Sequence, residues 1–265
     1  MSRQLQAAAA IFRRDLQIFL SYRSLALSAA FSAVFSVALF YYLSRLLSAE
    51  GFATPDDYFA FVVVGLVILS VLQSTLVLSA TVRAELVAGT FERVLLSPFG
   101  AVRGALAMMI FPIVESIVLG TWTLIVATVA FDLPLQWSTL PLALPVAVLA
   151  ALSFSAIALL VTALVVVFKQ APGLGVLIAG VTLISGLYFP TELLPGWIAW
   201  AAAVQPFTPA VELLRHVLVG LPTAEPASVY LVKLVAFVVV LLPLAAWALA
   251  AGIALAQRKG TIIEY

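Results

Sequence analysis

The sequence predicts an all-α polytopic membrane protein with six transmembrane helices. Three observations carry this. The mean hydropathy is +1.21. Of 265 residues, 65% are hydrophobic and only 9% are charged, against about 25% charged in a soluble domain. The apolar residues also fall in long runs, and about 20 such residues suffice for a helix to cross a hydrocarbon core about 30 Å thick. A water-soluble fold has no interior large enough for so much apolar surface.

The elements follow in order. Residues 1–23 predict an amphipathic helix lying along the membrane surface: Leu5, Ala8, Phe12, Leu16 and Phe19 recur at helical spacing, while Gln6, Arg13 and Gln17 mark another face. Arg13, Arg14 and Asp15 stand where a cleaved signal peptide would need its apolar core. The six spans are Ser24 to Leu47, Tyr58 to Val82, Gly104 to Phe131, Leu140 to Phe168, Pro172 to Tyr188, and Val229 to Ala256. The fifth is short and carries Gly173, Gly175, Gly180 and Gly186. Small residues of this kind let helices approach closely in lipid. Between the fifth and sixth spans, Leu193 to Val204 is too short to cross and is bracketed by Pro195 and Pro206. It predicts a re-entrant or interfacial hairpin within residues 189–220. No internal repeat and no soluble domain interrupts the pattern, so residues 1–265 read as one membrane domain.

Lys and Arg set the expected orientation. Arg3, Arg13, Arg14, Arg23, Arg83, Arg93, Arg103, Lys169, Arg258 and Lys259 fall on one side of a six-span arrangement. Arg45, Arg215 and Lys233 fall on the other, together with most of the carboxylates. The excess places both termini and the loop 83–100 in the cytoplasm.

Catalytic parts are missing from the sequence. With no Cys, thiol catalysis and thiolate metal sites are excluded. No Gly-Lys pair exists, so the chain holds no phosphate-binding P-loop. His216 is the single His, which leaves no His-rich metal site and one conceivable partner for a serine nucleophile. The expectation is therefore no enzyme, no metal and no cofactor in this chain. The net charge of +1 gives no reason to expect nucleic acid. Membrane lipids are the partners the composition itself implies.

One ionisable residue falls well inside a span. Glu115 lies near the middle of the third, three residues after Pro112. A carboxylate at mid-span costs about 2.5–3.5 kcal/mol on insertion scales. It is either a substrate or proton contact, or a hydrogen-bonded neighbour of Gln73, Ser74 or Thr75. Pro112 also frees a carbonyl near Met108 and predicts a local distortion there. In the first span Phe31, Phe35 and Tyr42 share one helical face.

Three stretches together bring a family into view. The second loop reads E-L-V-A-G-T-F-E-R-V-L-L-S-P, the end of the fifth span reads G-L-Y-F-P-T-E-L-L-P-G-W, and Q-P-F-T-P-A-V-E-L-L-R follows. With the topology, these resemble the membrane subunits of bacterial ABC-2 type ABC exporters, permeases that include drug, polysaccharide and lipid exporters. The resemblance implies that the loop 83–100 is a coupling helix docking on a separate cytoplasmic ATP-binding subunit, through Glu85, Gly89, Thr90, Glu92, Leu95, Leu96 and Pro98. It implies that Arg13, Arg14 and Asp15 of the N-terminal helix lie against that subunit, which would hold ATP and Mg. Phe189, Pro190, Leu194 and Pro195 would begin an external re-entrant region capping the exit. Two permeases, identical or homologous, would pair around a conduit in the cytoplasmic membrane. Phe31, Phe35, Tyr42, Gln73 and Glu115 are the pathway residues expected here. Polysaccharide exporters tend toward an aromatic-lined path, and the fifth span has no aromatic before Tyr188. A hydrophobic or amphipathic substrate, such as a drug, natural product or lipid, is therefore favoured. The alternative is an ATP-independent secondary transporter or channel using Glu115.

Overall fold

The computed structural model describes residues 3–46, 52–89, 91, 99–169 and 173–258. They form helices throughout: α1 (Arg3–Ser21), α2 (Arg23–Leu46), α3 (Pro55–Val87), α4 (Ala101–Met108), α5 (Ile110–Phe131), α6 (Leu140–Phe168), α7 (Leu174–Ile184), α8 (Gly196–Ala203), α9 (Phe207–Val219), α10 (Ala227–Ala236) and α11 (Leu242–Arg258). A short 3-10 turn, Thr191–Leu193, precedes α8, and a π turn, Phe237–Leu241, joins α10 to α11.

The spine of the fold is α3. Its 33 residues span about 50 Å at 1.5 Å per residue, more than a hydrocarbon core needs. Its start is set by a capping box: the Asp57 N–H donates to Thr54 Oγ1 at 3.2 Å, and the Thr54 N–H donates to Asp57 Oδ2 at 3.0 Å. These satisfy two groups that a helix start leaves orphaned. Pro55 occupies the first turn, where its missing N–H costs nothing. Gly89, in the left-handed region at φ 67°, follows the last turn and ends the helix. In lipid a helix buries its sides on other helices, and α3 does so along its length. Near the Thr54 end, Val64, Ile68 and Leu72 pack with α6, α9 and α10. Near the Gly89 end, Leu78, Val82 and Leu86 pack with α4, α6 and α11. On a third side, Phe59, Ala60 and Val63 pack against Val37 of α2 and Val126 of α5.

Prolines mark the irregularities. Pro112 lies in the first turn of α5, and the helical path breaks at Met109, between α4 and α5. This is the distortion expected of a proline clashing with the carbonyl four residues back. Pro243 lies two residues beyond the π turn at 237–241. The wider turn accommodates the hydrogen bond Pro243 cannot make.

Among the described residues, five helical stretches are long and apolar enough to cross a membrane: 26–46, 55–87, 101–131, 140–168 and 227–258. They coincide with the first, second, third, fourth and sixth expected spans. The fifth differs. Its helix is α7, of 11 residues, about 16 Å long and too short to cross alone. It is bounded by glycines at positive φ, Gly173 at 80° and Gly186 at 81°. Ser185 Oγ donates to the Thr182 carbonyl at 2.6 Å within the last turn. The expected hairpin region holds the 3-10 turn, α8 and α9. Glycine at φ 69° ends α9 at Gly220, where a Cβ would collide with the Gln136 side chain.

Candidate functional site

Two sets of polar residues gather at opposite ends of α3. At the Gly89 end, α1 lies across α4 and α5, with Phe12 and Phe19 against the Phe111 ring at centroid distances of 6.0 and 5.6 Å. Its outward residues include Arg13 and Arg14, and Arg14 pairs with Asp15 at 2.8 Å. Glu85, in the last turn of α3, lies within electrostatic reach of both Arg14 and Asp15. Of the expected coupling residues, Glu85 thus lies beside Arg14 and Asp15 of α1. Gly89 is exposed, and among the described residues a Cβ there would meet nothing within 4 Å. Its positive φ is a conformation that favours glycine. Leu86 and Phe91 are buried among α3, α4 and α11, while Val87 is exposed. Thr90, Glu92, Leu95, Leu96 and Pro98 lie outside the described residues.

Sequence reasoning missed the main feature of the Thr54 end. Arg215 counts there as one more external charge, yet its residue exposure is 1%. Its Nε donates to the Phe61 carbonyl of α3 at 3.0 Å, and Nη2 donates to the Leu187 carbonyl at 3.0 Å. Nη1 pairs with Glu212 Oε1 at 3.1 Å. The guanidinium lies over the Phe61 ring, 3.2 Å from its centroid. Burial pulls the Arg215 pKa down to about 9, opposed by Glu212 and Glu192, so it stays charged near neutrality. Burial also pushes Glu212 above the usual carboxylate range, against the pull of Arg215. Phe189, Pro190 and Leu194 are half-buried beside this cluster, and Pro195 is exposed, its carbonyl accepting from the Ile198 N–H at 2.9 Å at the start of α8. The i, i+3 spacing of Glu212 and Arg215 was the available signal. It also describes ordinary surface pairs, so it could not reveal burial.

The expected pathway residues are dispersed. Phe31, Phe35 and Tyr42 are 71%, 70% and 63% exposed on one face of α2, and Gln73 is exposed on α3. Phe40, on another face of α2, stacks on Tyr188 with centroids 6.0 Å apart. Glu115 is half-buried and makes no hydrogen bond or ion pair among the described residues. The hydroxyl of Thr75, one suggested partner, donates to its own helix at Leu72. Trp122 Nε1 donates to the Ala30 carbonyl at 3.2 Å, tying α5 to α2. Glu115 lies near the middle of the 101–131 stretch that is long and apolar enough to cross a membrane. A cleft of about 430 Å³ opens between α5 and α6, backed by Val67 and Leu214 and walled almost wholly by apolar side chains. Among the described residues, no group of three or more His, Asp or Glu side chains could hold a metal ion.

The family model described as ABC-2 type transporter matches residues 6–219. The chain belongs to that family. It is the membrane, permease-type part of an ABC transporter, a class that works with an ATP-binding subunit, and it is a multi-pass membrane protein. The match runs from α1 through α9, so it takes in both polar ends of α3. A search of curated proteins finds no match.

Proposed function

We propose that this permease is the membrane-spanning subunit of an ATP-driven exporter in the bacterial cytoplasmic membrane, with both termini cytoplasmic and residues 1–265 forming one domain. The observation that carries the reading is α3, an unbroken helix from the Thr54 cap to Val87 in a chain of this family. One end of α3 is the Glu85–Gly89 corner beside α1, and the other is the Arg215 cluster. The Gly89 end collects Arg13, Arg14, Arg83 and Arg103, which favours a cytoplasmic location for it. In this reading α7 and the residues that follow it complete a sixth crossing, and residues 189–220 form the external cap.

The loop 83–100 couples to a separate ATP-binding subunit through Glu85, Gly89, Thr90, Glu92, Leu95, Leu96 and Pro98, with Arg13, Arg14 and Asp15 beside it. ATP and Mg belong to that subunit. Two permease copies, or this chain and a homologous one, pair around the conduit. The exposed Phe31, Phe35, Tyr42 and Gln73 contribute to its wall. With aromatics on the α2 side and none in the fifth span before Tyr188, the wall suits a hydrophobic or amphipathic cargo, a drug, natural product or lipid, better than a polysaccharide.

The test is reconstitution. The chain should co-purify with an ATP-binding subunit in mild detergent, and vesicles holding both should move a hydrophobic probe only when ATP is supplied. Transport by the chain alone, abolished by Glu115→Gln, would overturn the proposal in favour of a secondary transporter.

A further inference from the structure

An arginine presents its N–H donors in a rigid planar fork. At Arg215 that fork reaches three separate pieces of chain. Nε donates to the Phe61 carbonyl, Nη2 donates to the Leu187 carbonyl, and Nη1 holds Glu212 on its own helix, all within 3.1 Å. Phe61 and Gly65 stand one turn apart on α3. At Gly65 the Leu187 carbonyl lies so close that a Cβ would collide with it. One turn of α3 is therefore engaged twice by the residue-187 turn, once directly at Gly65 and once through the guanidinium. Two of the three polar bonds end on backbone carbonyls, which cannot swing away as side chains do. A carbonyl carries two lone pairs, so Phe61 can accept from Arg215 and still accept within its helix. The two bonds to carbonyls are shielded from water, with Arg215 and Leu187 each 1% exposed.

We infer that Arg215 is a latch joining α3, the turn at residues 186–190 and α9 into one body, so that a displacement of the Gly89 end of α3 is delivered to the exit cap. This rests on the permease reading for its role, though the joint itself does not. Arg215 is here a positioning residue that touches no cargo. Between its ends α3 contains no proline and one glycine, Gly65, which is itself packed. It can carry a push as a rod. On its N-terminal side the cap is joined covalently to α7, a single short helix with Gly173, Gly175, Gly180 and Gly186 along its path. A helix of that composition transmits a push less faithfully.

The chain has no Cys, so spin labels attach only where cysteines are introduced. One pair at Asp56 and Leu193, both exposed, reports the joint between α3 and the cap. A second at Ala84 and Leu255, also exposed, reports movement of α3 against α11. Distances are measured in the permease reconstituted with its ATP-binding subunit, with and without Mg and a non-hydrolysable ATP analogue. The latch predicts that nucleotide shifts the second distance while the first keeps its mean and width. Arg215→Gln should broaden the first distance even without nucleotide. Arg215→Lys, which keeps charge beside Glu212 but loses the fork, should do the same while remaining folded. It should also lower transport by about tenfold, within the usual range of coupling between sites, while ATP hydrolysis continues. A first distance that changes with nucleotide in the unmodified pair, or one that stays sharp in both Arg215 variants, would overturn the latch. A second distance indifferent to nucleotide would count against the permease–ATPase reading instead, and the Arg215 variants would still decide the joint.

Discussion

The two ends of α3 are built on opposite principles. At the Gly89 end the arginines lie at the surface: Arg14, its side chain 46% exposed, pairs with Asp15, and Arg13 and Arg83 are exposed. At the Thr54 end the Arg215 and Glu212 side chains are 2% and 15% exposed, and the guanidinium is tied to backbone. Surface pairs in high dielectric contribute little stability and stay available to an incoming partner. A buried pair does the reverse, being costly to disrupt and closed to partners. One helix thus joins an adaptable docking end to an end that is fixed within its own chain.

The sharpest way to break this contrast is Glu212→Ala. It leaves the Arg215 charge buried and uncompensated, and should cost about 3–5 kcal/mol, read as a lower unfolding temperature of the detergent-solubilised permease. A loss under 1 kcal/mol would mean that Arg215 escapes to water. Gly65→Ala comes next. Its Cβ must displace the Leu187 carbonyl, and overpacking of this kind costs about 1–3 kcal/mol, on the same assay. Gly89→Ala has room for its methyl but needs φ 67°, a left-handed conformation that costs about 1–2 kcal/mol. ATP-driven transport in vesicles should fall more than stability does, and parallel losses would argue against a coupling role. The smallest effect belongs to Arg14→Ala, where an exposed pair predicts about 0–1 kcal/mol of stability change. Weaker pull-down of the ATP-binding subunit by this variant would place the N-terminal helix at the docking surface.

Legibility in the sequence followed the range of the interactions. Helical stretches such as Leu140–Phe168 appear at their expected bounds because hydropathy and proline placement act over a turn or two. The break at Met109 was foreseeable from Pro112 for the same reason. The Gly-rich fifth segment was harder: its hydropathy says span, while two glycines at positive φ hold its helix to Leu174–Ile184. Glu115 shows another limit. Spacing offered Gln73, Ser74 and Thr75 as its neighbours, but the Thr75 hydroxyl donates within its own helix to Leu72, and which groups face Glu115 is decided by how the helices pack. Nothing local announces that α4 and α11 cover Leu86 and Phe91.

By itself, the sequence determined that this is a helical membrane protein lacking a P-loop, with the loop and hairpin motifs of its family. These are properties of composition and of neighbours along the chain. Only the tertiary structure decided that Arg215 is an interior residue. Its partners lie 154 and 28 positions away at Phe61 and Leu187, and burial of a charge is a property of the space those segments enclose. The same holds for Gly65, whose missing Cβ matters only because a distant carbonyl comes to rest on it.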